Sequence, residues 1–355
     1  MRRGLLLDRH PRMKAGGGRR RAAPGGVVVV TGGSAGVGRA AAREFARQGR
    51  DVAILARGRD AVRATTREVE AAGRRALGIP VDVADPDAVQ AAADRIEREL
   101  GPIGVWVNNA MTSVFSPIRQ MRAAEYRRVT EVNYLGYVHG TLAVLPRMLG
   151  RDSGVIVQVS SALAFRSIPL QSAYCGSKHA IIGFTDSLRA ELLHDGSNVR
   201  VTAVHLPGVD TTQFRWVRNR MGREAQPVGK VFTPELAAEA IAWAAEHAPR
   251  DVVVGSPVAL ALLGQKVAPG LMDHVVAHAA WEAQLLDEAV PPARPDNLFS
   301  PVPGDHGAHG PYGERAHARS AVVSLQEHAS VLSATAGGAG LLLGAVLTAM
   351  RLRHR

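Results

Sequence analysis

At 355 residues the chain has room for one large α/β domain with appendages or for two small domains. Its 46% apolar and 21% charged residues exclude a fibrous or wholly disordered chain, and the lone Cys175 excludes an intrachain disulfide framework. The net charge of +11 is lopsided: residues 1–24 hold eight basic side chains against Asp8, and the other 331 residues carry only +4. The high isoelectric point therefore describes an appendage rather than a nucleic-acid-binding face.

The basic side chains of that tail are Arg2, Arg3, Arg9, Arg12, Lys14, Arg19, Arg20 and Arg21. Its apolar run, Gly4 to Leu7, is too short for a secretory signal, so residues 1–24 read as a disordered leader with Met13 as an alternative start. From Gly25 to about Pro257, β-branched runs alternate with helical stretches. The predicted strands are Val27–Thr31, Asp51–Ala56, Ala76–Val83, Val105–Asn108, Gly154–Ser160, Val199–His205 and Asp251–Val254. Segments such as Arg39–Gln48, Ala61–Ala72 and Pro86–Leu100 are predicted as the helices between them. Apolar strands separated by helices imply a parallel sheet covered on both faces, a doubly wound α/β domain over residues 25–257.

Residues 258–290 read as a helical extension. The stretch 291–328 reads as a Pro/Gly-rich linker, with six prolines between Pro291 and Tyr312. Within it Asp305, His306 and His309 have metal-ligand chemistry, but no further ligand cluster accompanies them and no metal is expected. Residues 329–350 carry no charge over 22 positions, about the length that a bilayer core requires, and Gly340 and Gly344 supply a small-xxx-small pair. They are expected to attach the chain to a membrane. The arginines on both sides of the run leave its orientation open, and a helix lying in the interface or packed on protein is the alternative.

Two segments carry chemistry. Thr31-Gly32-Gly33-Ser34-Ala35-Gly36-Val37-Gly38 follows a strand and opens a helix. Glycines there let the backbone approach a pyrophosphate, and the helix N-terminus offers free N–H groups and partial positive charge. Tyr174 and Lys178 lie one helical turn apart, thirteen and seventeen residues after Ser161. They offer a phenol that exchanges a proton beside an ammonium. Cys175, next to the phenol, reads as a small packed residue rather than a redox thiol.

The order T-G-x-x-x-G-x-G, Asn108-Asn109-Ala110, Asn133, Ser161 and Y-x-x-x-K resembles the short-chain dehydrogenase/reductase family, over about residues 25–257. The resemblance implies a Rossmann-type fold and a homodimer or homotetramer. It also implies a catalytic set of Asn133, Ser161, Tyr174 and Lys178, in which Tyr174 moves the proton and Ser161 steadies the substrate oxygen. Lys178 lowers the phenol pKa and holds the nicotinamide ribose, and Asn133 completes a proton relay. Ser160 competes with Ser161 for its role; the family spacing favours Ser161.

Thr31, Gly32, Ser34, Gly36, Val37, Gly38, Asp82, Val83, Asn109, Ala110, Pro207, Gly208 and Thr211 match the family's dinucleotide-binding positions, with Asp82-Val83 at the adenine. One departure is Met111, where the family has a glycine after N-N-A. The second strand ends in Arg57 without an acid, which favours a 2′-phosphate and hence NADP(H) over NAD(H). Thr212 to Phe232 matches the family's substrate lid, and Phe214, Trp216 and Met221 within it suit a lipophilic substrate. The expectation is a cytoplasmic, NADP(H)-dependent reductase or dehydrogenase on a small carbonyl/alcohol pair, membrane-associated through its C-terminus. A dinucleotide-sensing regulator without turnover, or a membrane-tethered scaffold, are the alternatives.

Overall fold

The computed structural model describes residues 25–291 and 293–326, so the basic tail and the uncharged run 329–350 lie outside the described residues. Seven parallel strands form the central sheet: β1 Val27–Thr31, β2 Val52–Ala56, β3 Ala76–Pro80, β4 Ile103–Asn108, β5 Val155–Ser161, β6 Arg200–Leu206 and β7 Asp251–Val253. Their order across the sheet is β7-β6-β5-β4-β1-β2-β3.

The near-continuous apolar strands are read correctly because both faces are covered. In β1, Val28 and Val30 join one core with Phe45 and Ile241, while Val27 and Val29 join another with Ile96 and Met148. Alternation in a strand sends successive side chains to opposite faces, and each buried valine contributes about 2 kcal/mol of transfer free energy. The flanking helices are α1 Gly36–Arg47, α2 Arg59–Ala71, α3 Pro86–Glu99, α4 Ala123–Thr130, α5 Gly136–Gly150, α6 Ser172–His194 and α7 Pro234–His247. A π-turn, Glu131–Leu135, joins α4 to α5. The order of strands reverses between β1 and β4, which opens a crevice beyond their C-terminal ends.

The predicted helical extension is a hairpin of α8 Ser256–Val267 and α9 Pro269–Ala279. The Pro291–Tyr312 run corrects the linker expectation. It is irregular, as its prolines require, but it is docked: Leu298 is 0% exposed and Ala308 2%. Short strands bracket it. Leu285–Ala289 pairs with Arg223–Ala225 before it, and Ala316–His317 pairs with Val231–Phe232 after it. Prolines and glycines deny the segment a ladder of its own, and its free carbonyls accept hydrogen bonds from arginines of the domain instead. Among the described residues no helix is long and apolar enough to cross a membrane.

Candidate active site

The glycine turn is built around Thr31. Its Oγ1 donates to the Val107 carbonyl at 3.2 Å and accepts from the Asn109 and Ala110 amides at 2.9 and 3.2 Å, tying the ends of β1 and β4 together. Gly38 is required by space, since a Cβ there would lie 2.3 Å from the Gly32 carbonyl oxygen and 2.5 Å from Asn109 Nδ2. Gly36 is required by conformation, with φ +53°. Ala35 stands at the N-cap of α1 and has no side-chain oxygen to cap it. The Gly36 amide instead donates to the Gly307 carbonyl at 3.1 Å.

At the end of β2, the half-buried Arg57 donates to the carbonyls of Asn297 and Leu298. The Leu298 carbonyl also accepts from Arg128 Nε at 3.0 Å, and Arg128 pairs with Asp82. Burial lowers the Arg57 pKa, as does the adjacent Arg128, while Asp82 opposes the fall. Nearby, the buried Arg39 pairs with Glu68 and Asp305. Burial alone would depress the Arg39 pKa, but the two carboxylates outweigh it and raise it. Burial would raise Glu68, yet its bonds to Arg43 and Arg39 hold it down at about 2.

Ser161 ends β5 and Tyr174 sits in the first turn of α6, which brings the two side chains within hydrogen-bonding reach. Desolvation pushes the Tyr174 phenol up to about 12, against the Ser161 hydrogen bond that favours its anion. Lys178 is 2% exposed; its Nζ donates to the Val159 carbonyl at 2.8 Å and to Tyr137 Oη at 3.1 Å, and stands 5.6 Å from the Tyr174 ring centre. Burial pulls its pKa down to about 7. Desolvation thus acts on both groups toward their neutral forms, against the charge that Lys178 would lend the phenolate.

Asn133 lies one layer behind, on the π-turn. Its Oδ1 accepts from the Thr112 amide at 2.8 Å, and its Nδ2 donates to the Thr112 carbonyl at 2.9 Å and to Ser177 Oγ at 3.3 Å. It ties the segment after Met111 to α6. Such wide turns recur where helices carry function.

One cavity of about 1140 Å³ brings the glycine turn and the Ser161, Tyr174 and Lys178 side chains together. Gly32, Ser34, Gly36, Val37, Gly38, Arg57, Asp82, Val83, Asn109, Ala110, Met111, Ser161, Tyr174, Lys178, Pro207, Gly208 and Thr211 line it. Thr31 and Asn133 support it from behind. Phe214 and Trp216 reach it, whereas Met221 packs in a cluster beside it with Phe115 and Leu285. Its far end is apolar, walled by the hairpin residues Leu260, Leu263, Leu271, Met272, Val275 and Val276.

A dinucleotide fits this chemistry. Glycines clear a cradle, a helix N-terminus lacks a side-chain cap, and buried polar atoms of cavity residues are left without partners among the described residues. These are Ser113 Oγ, Ser160 Oγ, Arg166 Nε, Thr212 Oγ1 and Trp216 Nε1. Such orphans are costly unless a ligand or solvent satisfies them. Asp305, His306 and His309 do not converge: Asp305 bonds Arg39, His306 meets the Trp216 ring edge-on, and His309 Nε2 faces Glu235 at 2.9 Å. Sequence reasoning missed Arg39, Arg128, Asn297 and the hairpin wall. Only the run of prolines signalled that segment 291–312 was unusual.

Comparison with known proteins bears on the family and the fold. The short chain dehydrogenase family profile matches residues 26–222. The chain is 31% identical over 278 residues to the uncharacterized oxidoreductase YxnA of Bacillus subtilis, covering 78% of each. It is 30% identical over 240 residues to the ketoacyl reductase HetN of Nostoc, covering 67% of this chain and 82% of that one. A metagenomic short-chain oxidoreductase solved with NADP superposes with a TM-score of 0.55 at 30% identity, covering 64% of this chain and 96% of that one. An alcohol dehydrogenase from Thermococcus sibiricus, solved with 5-hydroxy-NADP, shares the fold at a TM-score of 0.56 and 24% identity, over 64% of this chain and 94% of that one.

Proposed function

Because the chain belongs to the short-chain dehydrogenase family, we propose that this oxidoreductase uses NADP(H) to interconvert a carbonyl and an alcohol on a lipophilic substrate. One observation carries the reading: Ser161, Tyr174 and Lys178 stand in a single cavity between a glycine-rich cradle and an apolar hairpin. The dinucleotide, when bound, supplies or accepts the hydride. The protein's residues then handle the oxygen. The Tyr174 hydroxyl gives its proton to the carbonyl oxygen in reduction and takes it back in oxidation. Ser161 donates a hydrogen bond to the same oxygen and stabilises its developing charge. Lys178, charged, favours the phenolate left on Tyr174, and Asn133 holds α6 in register with the segment after Met111.

Arg57 supports NADP(H): it is a guanidinium with carbonyl partners and no carboxylate of its own, suited to a 2′-phosphate. The NADP carried by the metagenomic neighbour points the same way, and the ketoacyl reductase name of HetN suits a carbonyl substrate. We also take residues 329–350 to attach the protein to a membrane, on their uncharged length, and its assembly to be a homodimer or homotetramer. NADPH oxidation with aldehydes and ketones of increasing chain length tests the central reading. Turnover should appear and its efficiency should rise with apolar length. No oxidation with any carbonyl, or equal use of NADH, would overturn it.

A further inference from the structure

The family profile ends at residue 222, so the hairpin and the docked segment 291–317 lie beyond the residues it matches. That segment touches the positions expected to hold the dinucleotide. The Asn297 and Leu298 carbonyls meet Arg57, the Gly307 carbonyl meets the Gly36 amide, and Pro301 lies beside Gly58. We infer that residues 296–310 are a strap forming the outer wall of the dinucleotide cleft, and that the Leu298 carbonyl sets Arg57 and Arg128 as a paired guanidinium site for a phosphate monoester. The inference rests on the dinucleotide reading above and gives the wall and the second arginine of that site.

Three observations favour a wall over a plug. First, Asn297, Pro301, Val302 and His306 line the same cavity as the glycine turn and Asp82. The strap thus roofs about 1140 Å³ rather than filling it, at the upper end of what ligand sites occupy. Second, the strap is fastened independently of any ligand. Short strands hold both ends, Leu298 is buried against Val114, Val129 and Ala173, and Asp305 grips the buried Arg39. Third, the arginines keep donors in reserve. A guanidinium has five N–H groups, and Arg57 and Arg128 each direct only two to the partners described. Two cations there share one carboxylate, Asp82, and neutral carbonyls, which leaves net positive charge facing an anion.

The strap also grips the lid. The Asn297 amide donates to the Trp216 carbonyl at 3.0 Å, and just before the strap Arg294 Nη2 donates to the Val217 carbonyl at 2.9 Å. His306 meets the Trp216 ring at 4.7 Å, beside the unpartnered indole N–H. A ligand under the strap therefore touches an element continuous with the substrate side.

Hydrogen–deuterium exchange of amides 296–310 in the full chain, with NADPH, with NADH and without either, tests the wall directly. NADPH should slow strap exchange by about tenfold or more, and NADH should do so less. Faster exchange with NADPH would mean that the strap is displaced as a competitor, and unchanged exchange would mean that it lies outside the site; either overturns the inference. Asp305→Asn, at a partly exposed position, should weaken NADPH binding about tenfold, chiefly through faster dissociation, and Arg128→Gln should lower the preference for NADPH over NADH by a similar factor. Tighter binding in Asp305→Asn overturns the wall. If NADPH and NADH protect the strap equally, the wall stands while the phosphate pair and the NADP(H) reading fall. A chain that binds neither dinucleotide removes the site and the wall together.

Discussion

Tyr174, Ser161 and Lys178 are assigned unequal tasks, and substitution separates them. Tyr174→Phe should abolish turnover while leaving NADPH affinity within about twofold, because the lost hydroxyl acts only on the reacting oxygen. Steady-state rates with direct binding titration check this, and comparable turnover in the variant would remove Tyr174 from the chemistry. Ser161→Ala should cost about 10²–10³ in kcat, the usual price of one oxyanion donor. Lys178 gives a pH signature. Its pKa in the folded, ligand-free chain is near 7, below the ordinary lysine value of 10.5, so the unfolded chain binds more protons between these limits. Its burial therefore destabilises the fold fully below pH 7, and stability recovers as pH rises toward 10.5. Lys178→Met should raise Tm relative to the unsubstituted chain at pH 6, and that difference should shrink by pH 10. A difference independent of pH would show that the ammonium is not the source.

At the scale of elements, the seven predicted strands all occur, with ends shifted by a few residues at most, because a sheet buried on both faces writes its strands as plain apolar runs. The residues of the candidate site were legible for a related reason. Glycine turns, Tyr174 and Lys178 are local patterns, and local spacing survives in a sequence. The strap was not legible. Its partners Arg39, Arg57 and Arg128 lie 170 or more residues away, among many other arginines, and nothing in a proline run says what it will lie against. The hairpin was legible as helix but not as cavity wall, since α8 and α9 show an apolar face without naming what it covers. Leu263 and Leu271, 42% and 65% exposed, line the cavity yet remain partly open to solvent. Leu263→Gln should raise KM for long-chain carbonyls about tenfold more than for short ones, by removing apolar contact along the chain. Equal effects on both would mean that the hairpin does not meet the substrate.

For the whole molecule, the prediction concerns location. Protein of full length should sediment with membranes and resist a salt wash, whereas a chain ending at His328 should stay in the supernatant. Equal solubility of both without detergent would make residues 329–350 something other than an anchor. A second consequence follows from where the strap lies along the chain. Asp305 meets Arg39 across 266 residues, and Leu298 meets Arg57 across 241. Synthesis runs from the N-terminus, so the sheet through β6 can form while the strap is still untranslated. Until residue 310 has been made, the nascent polypeptide carries an open-sided nucleotide groove, with Arg39 lacking one carboxylate and Gly36 lacking its carbonyl. A chain that ends between β7 and the strap would lack this wall, and with it the strand Ala316–His317 and the core residue Val323 that follow, so the ribosome reaches the wall of the cleft and the last stitches of the core together.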